Sequence, residues 1–521
     1  MKALSDVESK AAGHDTGCQQ AHDWGHTKRG LAPRHVQLMA IGGAIGTGLF
    51  VGIGSVLQTA GPLSLLLGFV FWSIFFIWPL NLCVAEMSAY LPVRGTIFEL
   101  ASRVIDPAFG FAMGWAYFYA SVMLVCTEYS AVATIIQYWN TSINPAVWIV
   151  IAMAFCVIVN VFGVKYYGET EVIASFTKIL LLVGNGNAIH PYYTTGSTGN
   201  FLGWWAVVIY AVFSIAGPDM IALSSGEIQN PRRTVPRVAK LIFYRIVGFY
   251  VIGVLAVGII CDSTDEKLLS AQSSNAPGVG ASPWVIGIQN LGIAGLPDLI
   301  NALVLLSGWS CGNAYVYTST RTLDISKHGH APKFLERCTR SGVPIHSVVV
   351  VTVLSCLTFL TVSNSTSTVF FWFVGLTTAG IITVYTGMIV VFIGWHRACK
   401  AQGLPGDSLP YRAPLSPWIA YWVLGFGLVT ILFLGWDAFR PFSAEKFVTS
   451  YFCPVYFCCL FIFWKIFKRT KLVRPLEADL VTGKKEIDDE CAIWEEGGLE
   501  ENYRRRLSEM SFIQRCWERL W

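Results

Sequence analysis

Twelve long apolar runs dominate the chain, at approximately Val36–Leu57, Leu63–Val84, Phe109–Ile136, Ala146–Phe162, Val172–Gly184, Trp204–Ser224, Leu241–Cys261, Asp298–Thr320, Ser347–Val362, Val369–Phe392, Trp418–Trp436 and Ser450–Phe467. A helix needs about 20 mainly apolar residues to cross a hydrocarbon layer roughly 30 Å thick, and most of these runs approach or exceed that length. Polar, Pro- or Gly-containing joints separate them, as turns require. A soluble globule is excluded, because only 13% of the residues are charged against 54% hydrophobic. That is about half the charge of an average soluble domain. The same balance excludes disordered, collagen-like and nucleic-acid-binding chains. The expected fold class is an all-α polytopic membrane protein with about twelve transmembrane helices.

Charge sets the orientation, since Lys and Arg gather in cytoplasmic joints. With both termini placed in the cytoplasm, only Lys267, Arg440 and Lys446 of the 37 Lys and Arg fall in outer joints, and Lys178 and Arg245 fall inside runs. The opposite orientation would invert this bias. The N-terminus is polar up to Arg34, so no cleavable signal peptide is expected and the first span would serve as the insertion signal. The 14 cysteines are scattered, without CxxC or Cys/His metal spacing. They read as small apolar packing residues rather than a disulfide framework. The tail from Glu477 is charged but ends with Phe512, Cys516, Trp517, Leu520 and Trp521. Such a tail suits an amphipathic helix lying on the membrane or on the protein's own inner loops; regulatory and merely solvated roles both stay open.

Two runs are broken. The first contains Ile41-Gly-Gly-Ala-Ile-Gly-Thr-Gly-Leu49, with four glycines in the seven positions 42–48. Each costs about 1 kcal/mol in a helix interior, and freed backbone groups are tolerated in a membrane only where they line a cavity. Close packing through small residues accounts for a Gly-x-x-x-Gly pair but not for four glycines beside Thr47. A discontinuous helix whose exposed amides hold an anion such as a carboxylate accounts for all of them. The sixth run contains Phe213-Ser-Ile-Ala-Gly-Pro-Asp219, where Pro218 removes a helix donor and Asp219 sets a carboxylate near mid-membrane. At least four further runs follow each broken one. Paired interruptions in corresponding positions of two halves point to a midplane site in a transporter of inverted repeats.

Other ionisable groups lie inside runs: Glu128 in the third, Lys178 in the fifth, and Glu86 at the inner end of the second. Lys178 suits proton coupling or snorkelling to the interface. Glu128 suits substrate or proton work, or a buried structural partner, and Glu86 suits an inner-end cap. Enzyme signals are missing. There is no phosphate-binding loop and no metal cluster, and the Gly-x-Gly spacings lie within spans. No cofactor and no metal are expected.

At this point the residues resemble a known family. Gly42-Gly-Ala-Ile-Gly-Thr-Gly-Leu-Phe50 resembles the substrate-carboxylate loop of fungal amino acid permeases, within the amino acid–polyamine–organocation superfamily. Glu86-Met-Ser-Ala-Tyr-Leu-Pro92 is similar to the end of their second span, and Ser225-Gly-Glu-Ile-Gln-Asn-Pro-Arg-Arg-Thr-Val-Pro-Arg237 to their inner loop after span six. Gly312-Asn-Ala-Tyr-Val-Tyr-Thr-Ser-Thr-Arg321 with Gly329-His-Ala-Pro-Lys333 resembles their span-eight exit. The likeness covers roughly residues 28–475. It implies a five-plus-five inverted repeat with broken helices one and six, plus two further helices, in a proton symporter of the plasma membrane. It also implies that the backbone around Gly43, Ile45, Gly46, Thr47 and Gly48 binds a substrate carboxylate. Phe213, Ser214, Ala216 and Asp219 would line the substrate from span six, the last three facing its amine, with Glu128 added from span three. Lys178 matches a span-five lysine of proton coupling. Relatives usually carry Gly-Thr-Glu where this chain has Gly217-Pro-Asp219, which leaves a proline- or neutral-substrate subgroup open.

The expected organisation is a cytoplasmic tail (1–35), a first repeat (36–190), an outer loop (191–203), a second repeat (204–393), two further spans (394–467) and a cytoplasmic tail (468–521). Span five is short: the 13 residues of Val172–Gly184 rise only about 20 Å. The polar Asn185-Gly-Asn-Ala-Ile-His-Pro191 follows them. The expected function is secondary active import of amino acids by proton symport with alternating access. Two alternatives stay open: a sensor with little flux, and a carrier of another amine such as choline or a polyamine. The expected partners are an amino acid, protons and the lipid bilayer, with trafficking or ubiquitination machinery as candidates at the tails and no nucleic acid.

Overall fold

The computed structural model describes residues 46–92, 96–162, 192, 195–215, 217–225, 231–273, 282–290, 292, 295–322, 330–336, 339, 343–404, 409–496 and 505. Among them the chain is helical, and its sole β feature is an isolated bridge between Phe439 and Phe442. A 3-10 turn at Thr47–Leu49 precedes α1 (Ile53–Trp72), which passes through a π turn into α2 (Trp78–Tyr90). Then come α3 (Thr96–Val104), α4 (Pro107–Ile136), α5 (Pro145–Phe162), α6 (Ser197–Ser214), α7 (Pro218–Ser224) and α8 (Pro231–Ile260). Two short helices follow, α9 (Glu266–Ser273) and α10 (Pro283–Asn290), and then α11 (Leu296–Thr322). The series ends with α12 (Ile345–Ser355), α13 (Thr366–Ala401), α14 (Trp418–Leu432), α15 (Ala444–Lys468) and α16 (Lys484–Glu496).

Among the described residues, eight helical segments are long and apolar enough to cross a membrane, and Pro145–Val161 and Val247–Ile260 are shorter apolar helices. The all-α polytopic class therefore holds. Ile53–Tyr90 forms one such segment of 38 residues, about 57 Å if straight, nearly twice the hydrocarbon thickness. Gly61 resolves the excess. Its φ of 77° and ψ of 164°, followed by Pro62, interrupt the helix at the joint expected between the first two runs. Run five, with Lys178, lies outside the described residues, as do Gly43, Ile45 and Ala216.

The long helix α4 lies at the centre, packed on α11, α13 and α15. Small residues let these helices approach closely: a Cβ on Gly380 of α13 would come within 2.7 Å of the Ala120 Cβ on α4. At the periphery, Val455, Ile462 and Ile466 of α15 point outward, as residues facing lipid acyl chains do. Asp106 starts α4 by accepting the Ala108 N–H at 2.8 Å, with Pro107 as the first helical residue. Thr470 donates to the same carboxylate at 2.7 Å and Lys465 pairs with it, so the end of α15 is pinned to the start of α4.

The tail beyond α15 folds back onto this end of the bundle. Arg103 of α3 donates to the Thr482 carbonyl at 2.9 Å, Gln402 to that of Ala478 at 2.7 Å, and Arg232 pairs with Asp488. Leu480 and Ile487 of the tail are buried. Residues 470–491 thus lie against the protein's own surface; Phe512, Cys516, Trp517, Leu520 and Trp521 lie outside the described residues. The described cysteines form no disulfide, and Cys83, Cys126, Cys156, Cys311 and Cys453 pack in the interior.

Candidate functional site

The first break is an irregular stretch from Gly46 to Gly52. Gly46 is extended, Thr47–Leu49 form a single 3-10 turn, and α1 begins only at Ile53. The carbonyls freed by the break find side-chain donors, as buried backbone groups must. Tyr210 of α6 donates to the Gly48 carbonyl at 2.7 Å. Trp284 and Ser282, at the start of α10, donate to the carbonyls of Leu49 and Phe50 at 3.0 and 2.6 Å. The amide of Thr47 is taken by a carboxylate, donating to Glu128 Oε1 and Oε2 at 3.2 and 3.3 Å.

Glu128 is 1% exposed, and glycines make the space for its carboxylate. A Cβ on Gly46 would overlap its Oε1, and one on Gly308 of α11 would lie 3.3 Å from Oε2 and 2.6 Å from the Thr47 methyl. The Thr47 hydroxyl is buried and has no hydrogen-bond partner among the described residues. The two breaks also touch. A Cβ on Gly48 would lie 2.9 Å from the Phe213 ring and 3.1 Å from the Ser214 hydroxyl oxygen.

The second break separates α6, ending at Ser214, from α7, starting at Pro218. Gly217 has φ 145°, ψ −44°, a conformation that excludes most side chains. The Ser214 carbonyl, released by the break, accepts from Tyr250 of α8. Asp219 is buried in the first turn of α7. Its Oδ1 accepts from the Tyr385 hydroxyl at 2.8 Å and the Gly217 N–H at 3.1 Å, and its Oδ2 accepts from the Tyr117 hydroxyl at 2.8 Å.

The structure thus brings Gly46, Thr47, Gly48, Glu128, Phe213 and Ser214 together around the first break. Asp219 stands at another depth. Tyr117, its partner on α4, precedes Glu128 by eleven residues, about 16 Å along the axis. Glu86 is buried at the end of α2, with its Oε2 accepting the Ala413 N–H at 2.8 Å. Sequence reasoning missed Tyr117, Tyr385, Tyr210, Tyr250, Trp284 and Ser282. Each of these aromatics contributes one polar atom from a largely apolar neighbourhood, and no spacing sets it apart from packing aromatics.

Comparison with known proteins decides the family. Residues 35–476 match the amino acid permease family. The chain belongs to the amino acid permeases. This permease is 37% identical to the proline-specific permease of Emericella nidulans, over 89% of its own length and 90% of that protein. It is 36% identical to a probable proline-specific permease of Schizosaccharomyces pombe, with 86% of each chain covered. It is 32% identical to the lysine-specific permease of Saccharomyces cerevisiae, over 95% of its own length and 86% of the relative. The permease is accordingly an integral membrane protein of amino acid transport and not an enzyme.

Proposed function

We propose that the permease imports amino acids across the plasma membrane by proton symport with alternating access, the substrate binding between the two breaks. The observation that carries this reading is the Glu128 carboxylate on the Thr47 amide. An amide freed by a broken helix is a site for an anion, and here a side chain of the protein takes it. A substrate carboxylate directed to that amide meets a like charge in a closed, dry space, where two ionised carboxylates repel strongly. Protonation of Glu128 removes the repulsion and weakens its hold on the amide, which a substrate carboxylate then displaces, so proton and substrate enter together. The unpartnered Thr47 hydroxyl then offers the substrate a second contact. The distribution of Lys and Arg supports cytoplasmic termini.

Proline is the first substrate to test, because relatives named for proline stand at 37% and 36% identity. Lys178, outside the described residues, keeps its proposed part in proton coupling, and Gly43, Ile45 and Ala216 keep theirs in substrate binding. The test is uptake into proteoliposomes holding the purified full chain, with a panel of labelled amino acids and an imposed pH gradient. Accumulation of one or more amino acids only with an inward proton gradient is expected. Uptake indifferent to the gradient overturns symport, and no uptake of any amino acid overturns transport by this chain.

A further inference from the structure

The chain beyond α15 crosses the end of the bundle from one set of helices to another. Its first part is fastened beside α4 and α13. Thr470 donates to Asp106 at the start of α4, and the Val473 N–H donates to the Ile105 carbonyl at 2.9 Å. Gln402, just past α13, donates to the carbonyls of Pro475 and Ala478 at 3.2 and 2.7 Å. Midway, Arg103 of α3 donates to the Thr482 carbonyl and lies 3.7 Å from the Asp479 carboxylate. The far part lies on α2 and α8. Tyr90, at the end of α2, donates to the Leu480 carbonyl at 3.4 Å, and the Lys484 ammonium stands 5.3 Å from the centre of its ring. Arg232, in the first turn of α8, pairs with Asp488 of α16.

These anchor points belong to two packed sets. α1 packs on α6 and α8, and α8 packs on α2; α11, α13 and α15 pack around α4. The breaks lie where the sets meet, since Glu128 of α4 holds the amide of Thr47 in the stretch leading to α1. Alternating access parts such sets first at one end and then at the other. The half-helix α7, which follows the second break, rests on α2, α3, α8 and α11. Three of those four helices are tied to the tail. Opening the site at this end therefore moves α7 among helices whose ends one segment holds together.

We propose that residues 470–488 are an autoinhibitory strap. While seated, they hold α2, α3 and α8 around α7 and keep the substrate site closed toward the cytoplasm. Release of substrate to that side requires residues 479–488 to lift from α2 and α8, with residues 470–478 staying fastened beside α4 and α13. The strap rests on the alternating-access reading above and is independent of proton coupling.

The contacts suit a part that seats and lifts. The Arg232 and Asp488 side chains are 25% and 43% exposed, and partly exposed ion pairs add little stability. Residues 470–483 are not helical, and α3, α2 and the end of α13 grip them chiefly through single hydrogen bonds to carbonyls. Few bonds therefore break when the far part lifts, as in a local opening of low free energy. Its seat is nevertheless specific. Leu480, Ile487 and Cys491 are buried, the last two at i and i+4 on one face of α16.

The test uses the full chain in proteoliposomes and reads counterflow of labelled proline without any gradient, which reports alternation of the site and not coupling. Asp488→Lys sets a like charge against Arg232 and is expected to raise the initial rate at least twofold. Adding Arg232→Asp, which restores an opposite pair, is expected to bring the rate back to wild type. A second variant carries Arg232→Cys with Asp488→Cys, joined by a short bis-methanethiosulfonate linker. The joined protein is expected to lose counterflow at least fivefold and to regain it on reduction, while each single cysteine variant keeps its rate under the same treatment. Asp488→Lys protein with the wild-type unfolding midpoint but no faster counterflow overturns the proposal. Undiminished counterflow through the joined protein, or a loss that the single variants share, overturns it whatever Asp488→Lys does. Wild-type protein without counterflow of proline or any other amino acid defeats the transport reading instead, before any variant is compared.

Discussion

The backbone N–H of Thr47 lies 3.2 and 3.3 Å from the two carboxylate oxygens of Glu128, a residue 81 positions further along the chain. The pair closes the first break from within. Under the symport proposed above, the protonation state of that one side chain governs access to the amide.

Glu128→Gln tests that condition. The carboxamide oxygen still accepts from Thr47, but no charge remains to repel a substrate carboxylate or to be neutralised. Counterflow is expected to persist, while accumulation under a pH gradient falls at least tenfold and the pH profile of uptake flattens. A profile that keeps its wild-type shape would remove Glu128 from coupling.

Gly46→Ala tests the space that the carboxylate needs. The added methyl would overlap Glu128 Oε1 and lie 2.8 Å from the Cys311 sulfur. Overpacking of this kind costs about 1–3 kcal/mol. Uptake is expected to fall at least tenfold. Gly425→Ala, where a Cβ meets nothing within 4 Å, is expected to transport as wild type.

Tyr210→Phe tests the support of the break. It leaves the buried Gly48 carbonyl without its side-chain donor, at a cost of about 1–3 kcal/mol. The thermal-unfolding midpoint is expected to drop, while Tyr244→Phe, at a site 71% exposed, leaves it unchanged.

The docked tail has a predictable response to acid. Burial pushes the Asp479 carboxyl up. The N–H groups of Thr482 and Val481, the Thr482 side chain and Arg103 outweigh that and hold it below the usual carboxylate range. A group depressed in this way adds stability above its unfolded pKa of about 4 and loses it as the pH falls through the folded value. Distances between spin labels on α3 and α16 are expected to stay constant from about pH 7.5 to 5. They are expected to lengthen only below about pH 4. Undocking near pH 6 would show that another group governs the contact.

The parts of this site that were legible in the sequence are those where a residue type breaks the rule of its surroundings. Glycine and proline in an apolar run announce a break, as at Gly46, Gly48, Gly217 and Pro218. A carboxylate in such a run announces itself by its cost, as at Glu128 and Asp219. The joint at Gly61-Pro62 was legible for the same reason. The partners were not. Tyr117 reaches Asp219 across 102 positions, and Trp284 reaches Leu49 across 235. Nothing local to either aromatic distinguishes it from a packing residue. The surface that receives residues 478–488 was equally hidden, because a charged segment suits both a bilayer and a protein face.

The contact between Arg103 and Thr482 spans 379 positions. At about 5–20 residues per second, ribosomes need on the order of 20–75 s to make the chain between them. For that time α3 exists without its cover. The tail thus works as a late lock: the inner surface of α3 stays open until synthesis has passed Thr482, and a chain that stops short of that residue cannot close it.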